Sequence, residues 1–494
     1  MDFLDPKKQK RHKIQLITGY ILVGIALILT TTILLYQAYG FGVDKNGQII
    51  QNGLVFISST PNPAQIYING QRYKDDTNVR IPLPSGQYTV ELQRDGYGSW
   101  KRAITVEGGS VEHFDYPFLY PSKLTSAAVK SYALKNRLST QSPDRRWLVQ
   151  QNSESLLRFD VYDLNHIKDA SKEIALPDGV LTAGAAGKLE LEQWSTDNRH
   201  VILKHSFQKG DQQTYEYVML DREDPSQSIN LTAKWGINPT KVELRDQKYD
   251  QYYLFDQSTG ALSTASLKQP QPKAYLDHVL AFKSYGDTVM LYATTKGADA
   301  GKVSVVMRDG QDSDVIRTLD AGGTYVLNLT KYSGDWYVAA GAANEDKVYV
   351  YKNPVDMLKM QHITVPVHVL KTTNPNYIEF SDNARFIMIE NGSKFALYDA
   401  ENDKGYAYDT KHVMDAPQSH ATWMDGHRLG YVSSGKLYVF DFDSANSRTL
   451  VAADPALLPA FTRDYKYLYT TAPGATADVP SLLSRTPLRT SSDL

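Results

Sequence analysis

Ser142-Pro143-Asp144-Arg145-Arg146-Trp147-Leu148-Val149 sets a tight polar turn directly before an apolar run. Serine, proline and aspartate favour such a turn, and the residues after it favour a strand. The same pattern returns as Trp194-Ser195-Thr196-Asp197-Asn198-Arg199, Phe380-Ser381-Asp382-Asn383-Ala384-Arg385, Trp423-Met424-Asp425-Gly426-His427-Arg428 and Phe461-Thr462-Arg463-Asp464-Tyr465-Lys466. Measured at the Ser, Met or Thr, the turns at 142 and 195 stand 53 residues apart, those at 381 and 424 stand 43 apart, and 462 follows 38 later. The gap of 186 between 195 and 381 equals four steps of about 46, so three degenerate units are expected inside it.

A second signature tests that count. Strands ending in an acidic or amide residue occur at Phe159–Asp163, Tyr217–Asp221, Tyr252–Asp256, Val303–Asp309, Val348–Asn353, Phe395–Asp399 and Leu437–Asp441, again about 46 residues apart, and three fall inside the gap. All-strand units of this period, each leaving a face that only a neighbour can cover, describe a β-propeller. Eight blades are expected, or seven if one middle unit is an insertion. The last unit is short of a fourth strand, and Ser122-Lys123-Leu124-Thr125 is similar to Ile229-Asn230-Leu231-Thr232. The segment before the first unit is therefore expected to complete the last blade. The turns resemble those of the TolB-like, WD40-like propeller family, across roughly residues 122 to 488.

Upstream, Leu54–Ser58, Gln65–Ile68, Gln87–Leu92 and Ala103–Val106 alternate as half-buried strands do, with Asn69-Gly70, Ser85-Gly86, Asp95-Gly96 and Gly108-Gly109 between or after them. These residues resemble the PEGA domain: Ser59-Thr60-Pro61-Asn62-Pro63-Ala64, Asn69-Gly70, Gly86-Gln87-Tyr88 and Gly96-Tyr97 stand at its motif positions. Asn62 and Pro63 replace its Glu and Gly, and proline fixes φ and removes a donor, so that corner is expected to differ. The resemblance implies an extracytoplasmic β-sandwich with a structural or binding role.

From Ile14 to Val43 no residue is charged, whereas Lys7, Lys8, Lys10, Arg11 and Lys13 precede the run. About 20 residues cross a bilayer, and a signal peptide's apolar region is shorter, so an uncleaved anchor with a cytoplasmic N-terminus is expected. The inside tail is too short to fold a catalytic domain. The expected organisation is a basic tail (1–13), a transmembrane helix (14–38), a linker (39–52), a PEGA-like β-sandwich (53–118), a β-propeller (119–488) and a C-terminal tail (489–494), an all-β chain after one α-helix.

Fifty-three basic residues against 55 acidic ones withhold the broad positive field that nucleic-acid binding uses. The absence of cysteine excludes disulfides, thiolate catalysis and Cys-ligated metals. No Gly-x-Ser-x-Gly elbow is present, and no hydrolase domain is expected after the propeller, which is expected to run to about residue 488. His362/His368 and His412/His420 are spaced by six and eight, unlike a helical zinc pair. In Asp399-Ala400-Glu401-Asn402-Asp403 the glycine of a calcium loop comes one place late, at Gly405, and Thr410 stands where the closing Glu belongs. Asp144, Asp197 and Asp464 repeat at one turn position and are expected to bond local backbone; Trp194, Phe380, Trp423 and Phe461 are expected to pack between blades. No catalytic, cofactor-binding or metal-ligating residue is assigned, and binding residues stay unassigned. The expected function is non-enzymatic: a membrane-anchored extracytoplasmic scaffold at the cell envelope, bilayer-bound through its helix, holding an envelope protein or cell-wall glycan on the propeller. The alternatives are an extracytoplasmic lyase or glycosidase, or a sensor acting through a membrane partner; for the last, Gly19 and Gly24 are spaced by five, not the four of a helix-packing motif.

Overall fold

The computed structural model describes residues 6–38, 40–43, 49–152, 155–166, 168–184, 186–416, 419–474, 476 and 479–493. Of the expected tail, residues 1–5, and of the linker, residues 39 and 44–48, lie outside the described residues. The chain forms two compact units, residues 1–123 with 490–493, and residues 124–489. Helix α1 (Pro6–Ala38) opens the first. Its stretch Lys8–Tyr36 is long and apolar enough to cross a membrane, and none of it is buried. A water-soluble helix would cover such a surface; hydrocarbon needs no cover. The hydroxyls of Thr18, Thr30 and Thr32 donate to the carbonyls of Ile14, Ala26 and Ile28, so these polar groups are satisfied within the helix.

The rest of this unit is two four-stranded sheets. One runs through Gln71–Asp76, Gln65–Ile68, Gly86–Gln93 and Trp100–Val106, all antiparallel. In the other, Ile49–Ile57 pairs with Phe41–Val43, with Val79–Pro84 and, in parallel, with Val111–Phe114. Period-2 alternation turns Val55, Ile57, Ile66, Ile81, Val90, Leu92, Ile104 and Val106 inward, with Trp100 among them. At the departing corner both Thr60–Pro61 and Asn62–Pro63 are cis. Thr77 Oγ1 fastens that corner, 2.7 Å from Ser59 Oγ and accepting from the Ala64 N–H at 2.8 Å. Residues 490–493 return to this unit: Tyr97 donates to Asp493 Oδ2 at 2.6 Å, Arg94 pairs with the same carboxylate, and the Thr490 N–H donates to Tyr97 at 2.8 Å.

In the second unit the described residues form eight antiparallel four-stranded sheets. The first comprises Ser139–Gln141, Trp147–Gln151, Arg158–Asp163 and Lys172–Ala175; the next six begin at Lys188–Trp194, Lys241–Leu244, Val279–Tyr285, Tyr325–Tyr332, Tyr377–Phe380 and Thr422–Trp423. The eighth takes three strands from the end of the chain, Ala460–Phe461, Tyr467–Ala472 and Ser481–Pro487, and its fourth, Ala127–Tyr132, from before the first sheet. Each sheet buries both faces. In the second, Val201 and Leu203 pack toward Val149 and Val161 of the first, while Ile202 between them packs toward Val242 and Leu254 of the third. The pattern continues through Tyr253 and Phe282, Val305 and Leu327, and Val350 and Ile387. Phe395 meets Phe440 at 5.7 Å, Arg448–Ala452 lies against Tyr467–Ala472, and Tyr469 and Leu483 of the eighth sheet pack on Leu148 and Tyr162 of the first. The row thus closes on itself as a propeller-like all-β ring, each fully buried Leu, Ile or Phe contributing about 1.5–3 kcal/mol.

Two details differ from the sequence reading. The strand contributed to the eighth sheet is Ala127–Tyr132, not Ser122–Thr125, and the stretch likened to it is strand for only Ile229–Asn230. There Asn230 Oδ1 accepts from the Ala233 N–H at 2.9 Å and starts helix α2 (Leu231–Trp235), which Gly236 ends at φ 65°. In the third sheet Tyr252–Asp256 lies in the second strand, whereas in the other sheets the matching signature lies in the third.

Candidate functional site

The repeated turns are held locally. Asp144, Asp197, Asn383 and Asp464 each accept, through Oδ1, from the backbone N–H two residues on, at 2.9–3.2 Å. Asp425 does the same for His427 at 2.8 Å. The basic residue that follows reaches the strand-terminal aspartate of its own sheet. Arg146 pairs with Asp163, Arg199 with Asp221, and Arg385 with Asp399 through two bonds of 2.8 and 2.6 Å, while Arg428 stands 3.8 Å from Asp441. The two sequence signatures are therefore the two halves of one clasp, closing the turn after the first strand onto the end of the third. Paired carboxylates of this kind are structural: Asp399, first residue of the suspected calcium loop, is fully buried and taken by Arg385.

The first strands are the open edges of their sheets, and side chains from neighbouring sheets use them. Gln193 accepts from the Leu244 N–H at 2.7 Å, Glu243 from the Ser284 N–H at 3.3 Å, and Asn328 and Gln141 donate to the carbonyls of Ile378 and Phe461.

One residue in the turns projects beyond this frame. Directly before the basic residue, Arg145, Asn198, Ala384 and Tyr465 all have positive φ, between 53° and 61°. The Arg145 guanidinium bonds Asp382, 237 residues away in the sixth sheet, and lies 5.0 Å over the Tyr465 ring of the eighth. A bond that skips the seventh and eighth sheets requires the turns to face a common centre. Asn198 Oδ1 of the second sheet accepts from the Asp144 N–H at 3.0 Å, joining that sheet to the group. Burial pushes the Asp382 carboxyl up, and pushes the Tyr465 hydroxyl to about 12, with Arg145 opposing in both cases. The result is a mouth of mixed charge around Arg145, Asp382, Asp425 and Tyr465.

On the sixth sheet, Tyr377 and Glu379 share a face with Glu390 of the adjoining strand, since Tyr377 pairs with Glu390. His420 stacks on Tyr377 at 4.0 Å and meets Glu390 Oε1 at 2.7 Å. Glu379 Oε2 and Glu390 Oε2 are buried without a hydrogen-bond partner. Burial carries the Glu379 carboxyl up to about 7, with Asp382 and Glu390 adding to it and the Tyr377 hydroxyl and Lys283 opposing.

The other sequence candidates disperse. His362 caps helix α3 (Pro354–Gln361) at φ 59°, His368 stacks on Tyr398 at 5.1 Å, and His412 lies 4.3 Å from Tyr438. Among the described residues no three His, Asp or Glu side chains are grouped to hold a metal. Trp194 and Phe380 pack in the cores between neighbouring sheets, Trp423 stacks on Phe386, and Phe461 is buried. The sequence reading passed over Arg145, Tyr465, Glu379 and Lys283. For Arg145 and Tyr465 the sequence marks only the variable position before the basic turn residue, and nothing local marks Glu379 or Lys283.

Residues 52–119 match the PEGA domain family. No curated protein matches the chain. Solved structures similar to this chain include a eukaryotic initiation factor (12% identity, TM-score 0.39, covering 68% of this chain and 93% of that one). A dihydro-heme d1 dehydrogenase, NirN, is 15% identical with a TM-score of 0.39, covering 64% and 66% of the two chains. A putative 6-phosphogluconolactonase of Bacteroides fragilis is 14% identical with a TM-score of 0.36, covering 59% and 95%.

Proposed function

We propose that this protein is a membrane-anchored, extracytoplasmic binding protein of the cell envelope. On this reading α1 is an uncleaved anchor with its basic end in the cytoplasm, the PEGA-like unit is a spacer, and the TolB-like, WD40-like ring takes a protein or a wall glycan. The observation that carries the reading is the mouth where Arg145, Asp382, Asp425 and Tyr465, from four different sheets, come together. It offers a planar cation, carboxylates and an aromatic ring, the groups that orient a polar ligand, and the sequence supplies no activated nucleophile beside it. The test is retention of envelope proteins and purified wall polymer by the detergent-solubilised full-length chain, compared with Arg145→Ala and Tyr465→Ala. Retention that falls at least tenfold in both variants supports the proposal; no retention by the parent chain refutes it.

A second reading, an extracytoplasmic lyase or glycosidase, is favoured by one observation: two neighbouring carboxyls, Glu379 and Glu390, with Glu379 near 7, where a general acid operates. Turnover of a wall polymer that disappears in Glu379→Gln would establish it.

A further inference from the structure

The fifth sheet carries an insertion between its third and fourth strands, α3 followed by residues 362–367. Its alternation is reversed. Ile363, Val365 and Val367 are 57%, 49% and 39% exposed, and Met360 on α3 is 72% exposed. The alternate residues turn inward: Thr364, between Ile363 and Val365, donates to the Ile316 carbonyl at 2.7 Å, Pro366 is half-buried, and His368, after Val367, stacks on Tyr398. A solvent-facing strand ordinarily does the opposite, polar outward and apolar inward. Apart from α1, few large apolar side chains among the described residues are exposed, and four lie within these eight residues. The same helix α3 also borders a cleft of about 260 Å³: Asp356 and Lys359, the latter next to Met360 in the chain, line it with Asp309, Asp312 and Asp314, with Trp336 in its wall, and Lys359 is the one cation among its described lining residues.

We propose that this rim is a docking surface for a protein segment presenting apolar side chains flanked by lysine or arginine. The apolar row supplies the dry contact, and the aspartates set the sign of the partner's charge. A bilayer with anionic headgroups is disfavoured by the same aspartates, and a second copy of this surface would place like charges together. The row also runs directly into His368–Lys371, the outer strand of its sheet, so an extended partner meets side chains of one face at the spacing of a strand. This inference rests on the binding role proposed above and moves the protein contact from the mouth to the rim.

The test is photo-crosslinking in intact cells, with benzoylphenylalanine in the full-length chain at Met360, Val365, Tyr465 or, as a control, exposed Gln208. The cross-linked peptides are sequenced by mass spectrometry. One common adduct from Met360 and Val365, through a segment rich in apolar and basic residues, and at least fivefold weaker in the Asp312→Asn, Asp314→Asn, Asp356→Asn triple variant, supports the proposal. Labelling no greater than at Gln208, an acidic segment, lipid, or a second copy of this chain overturns it. Adducts at Tyr465 alone overturn the rim and leave the mouth standing; none at either position overturns the rim and a protein contact at the mouth, and retention of wall polymer then decides the mouth.

Discussion

Glu379→Gln is expected to stabilise the protein at pH 8 and leave it unchanged at pH 4.5. The carboxyl titrates near 7 in the fold against an ordinary 4.5, and each decade corresponds to about 1.4 kcal/mol. The folded chain therefore keeps a proton that the unfolded chain has released between pH 4.5 and 7. Stability contributed by this group falls as pH rises through that window, by about 3 kcal/mol in all. The amide has the same shape and cannot ionise, so the difference between variant and parent should open across this window and stay constant above it. With an unfolding entropy of about 2 cal/mol/K per residue, 3 kcal/mol in a unit of this size is roughly 4 °C in Tm. Thermal unfolding followed by near-ultraviolet circular dichroism, at half-unit steps from pH 4.5 to 8.5, measures it. Glu192, Asp382 and Glu390 are also raised by burial and stay in both proteins, so the comparison reads Glu379 together with its coupling to Asp382 and Glu390. Equal Tm at pH 8, or an equal shift at every pH, would refute the assignment of the burden to this carboxylate.

Asp399→Ala together with Glu401→Ala removes both carboxylates paired with the buried Arg385 guanidinium and should cost about 3–5 kcal/mol by denaturant unfolding, with Arg385→Met in the same chain recovering most of the loss. Ala384→Gly, at φ 61°, should stabilise by about 1 kcal/mol, because the turn already demands a backbone that alanine resists. Asp493→Ala should free residues 490–493, read as faster amide exchange at Thr490 and readier carboxypeptidase trimming. Its carboxyl is held below the usual range chiefly by the Tyr97 hydroxyl, so in the parent the same release should begin as acid protonates it, and neutral or higher pH should keep the tie intact.

The period of the ring was legible because each sheet repeats one local device, an Asx turn before an apolar strand, and local devices write themselves into adjacent residues. The two signatures counted separately proved to be partners in space, Arg146 with Asp163 and Arg385 with Asp399, a relation that spacing alone does not reveal. Where local chemistry outcompeted the repeat, the reading slipped: Asn230 and Gly236 cap a helix turn where a full strand was expected, and the third sheet has its signature one strand early. The mouth was illegible for a different reason. Arg145 and Asp382 are 237 residues apart, and only closure of the ring brings them together. Glu379 was passed over because its burden comes from what surrounds it, namely burial, Glu390 and Asp382, and not from any motif around residue 379.

The strand Ala127–Tyr132 has an effect on how the protein is made. Among the described residues it pairs only with Ser481–Pro487, so as the polypeptide leaves the ribosome this early segment waits, unpaired, while seven sheets are synthesised. Partial rings have no seam to zip, and a chain interrupted anywhere before residue 487 leaves a raw edge at each end. Completion of synthesis, more than the formation of any single sheet, is then the event that locks the fold, and a premature stop should mark its product for degradation however much of the ring has already formed.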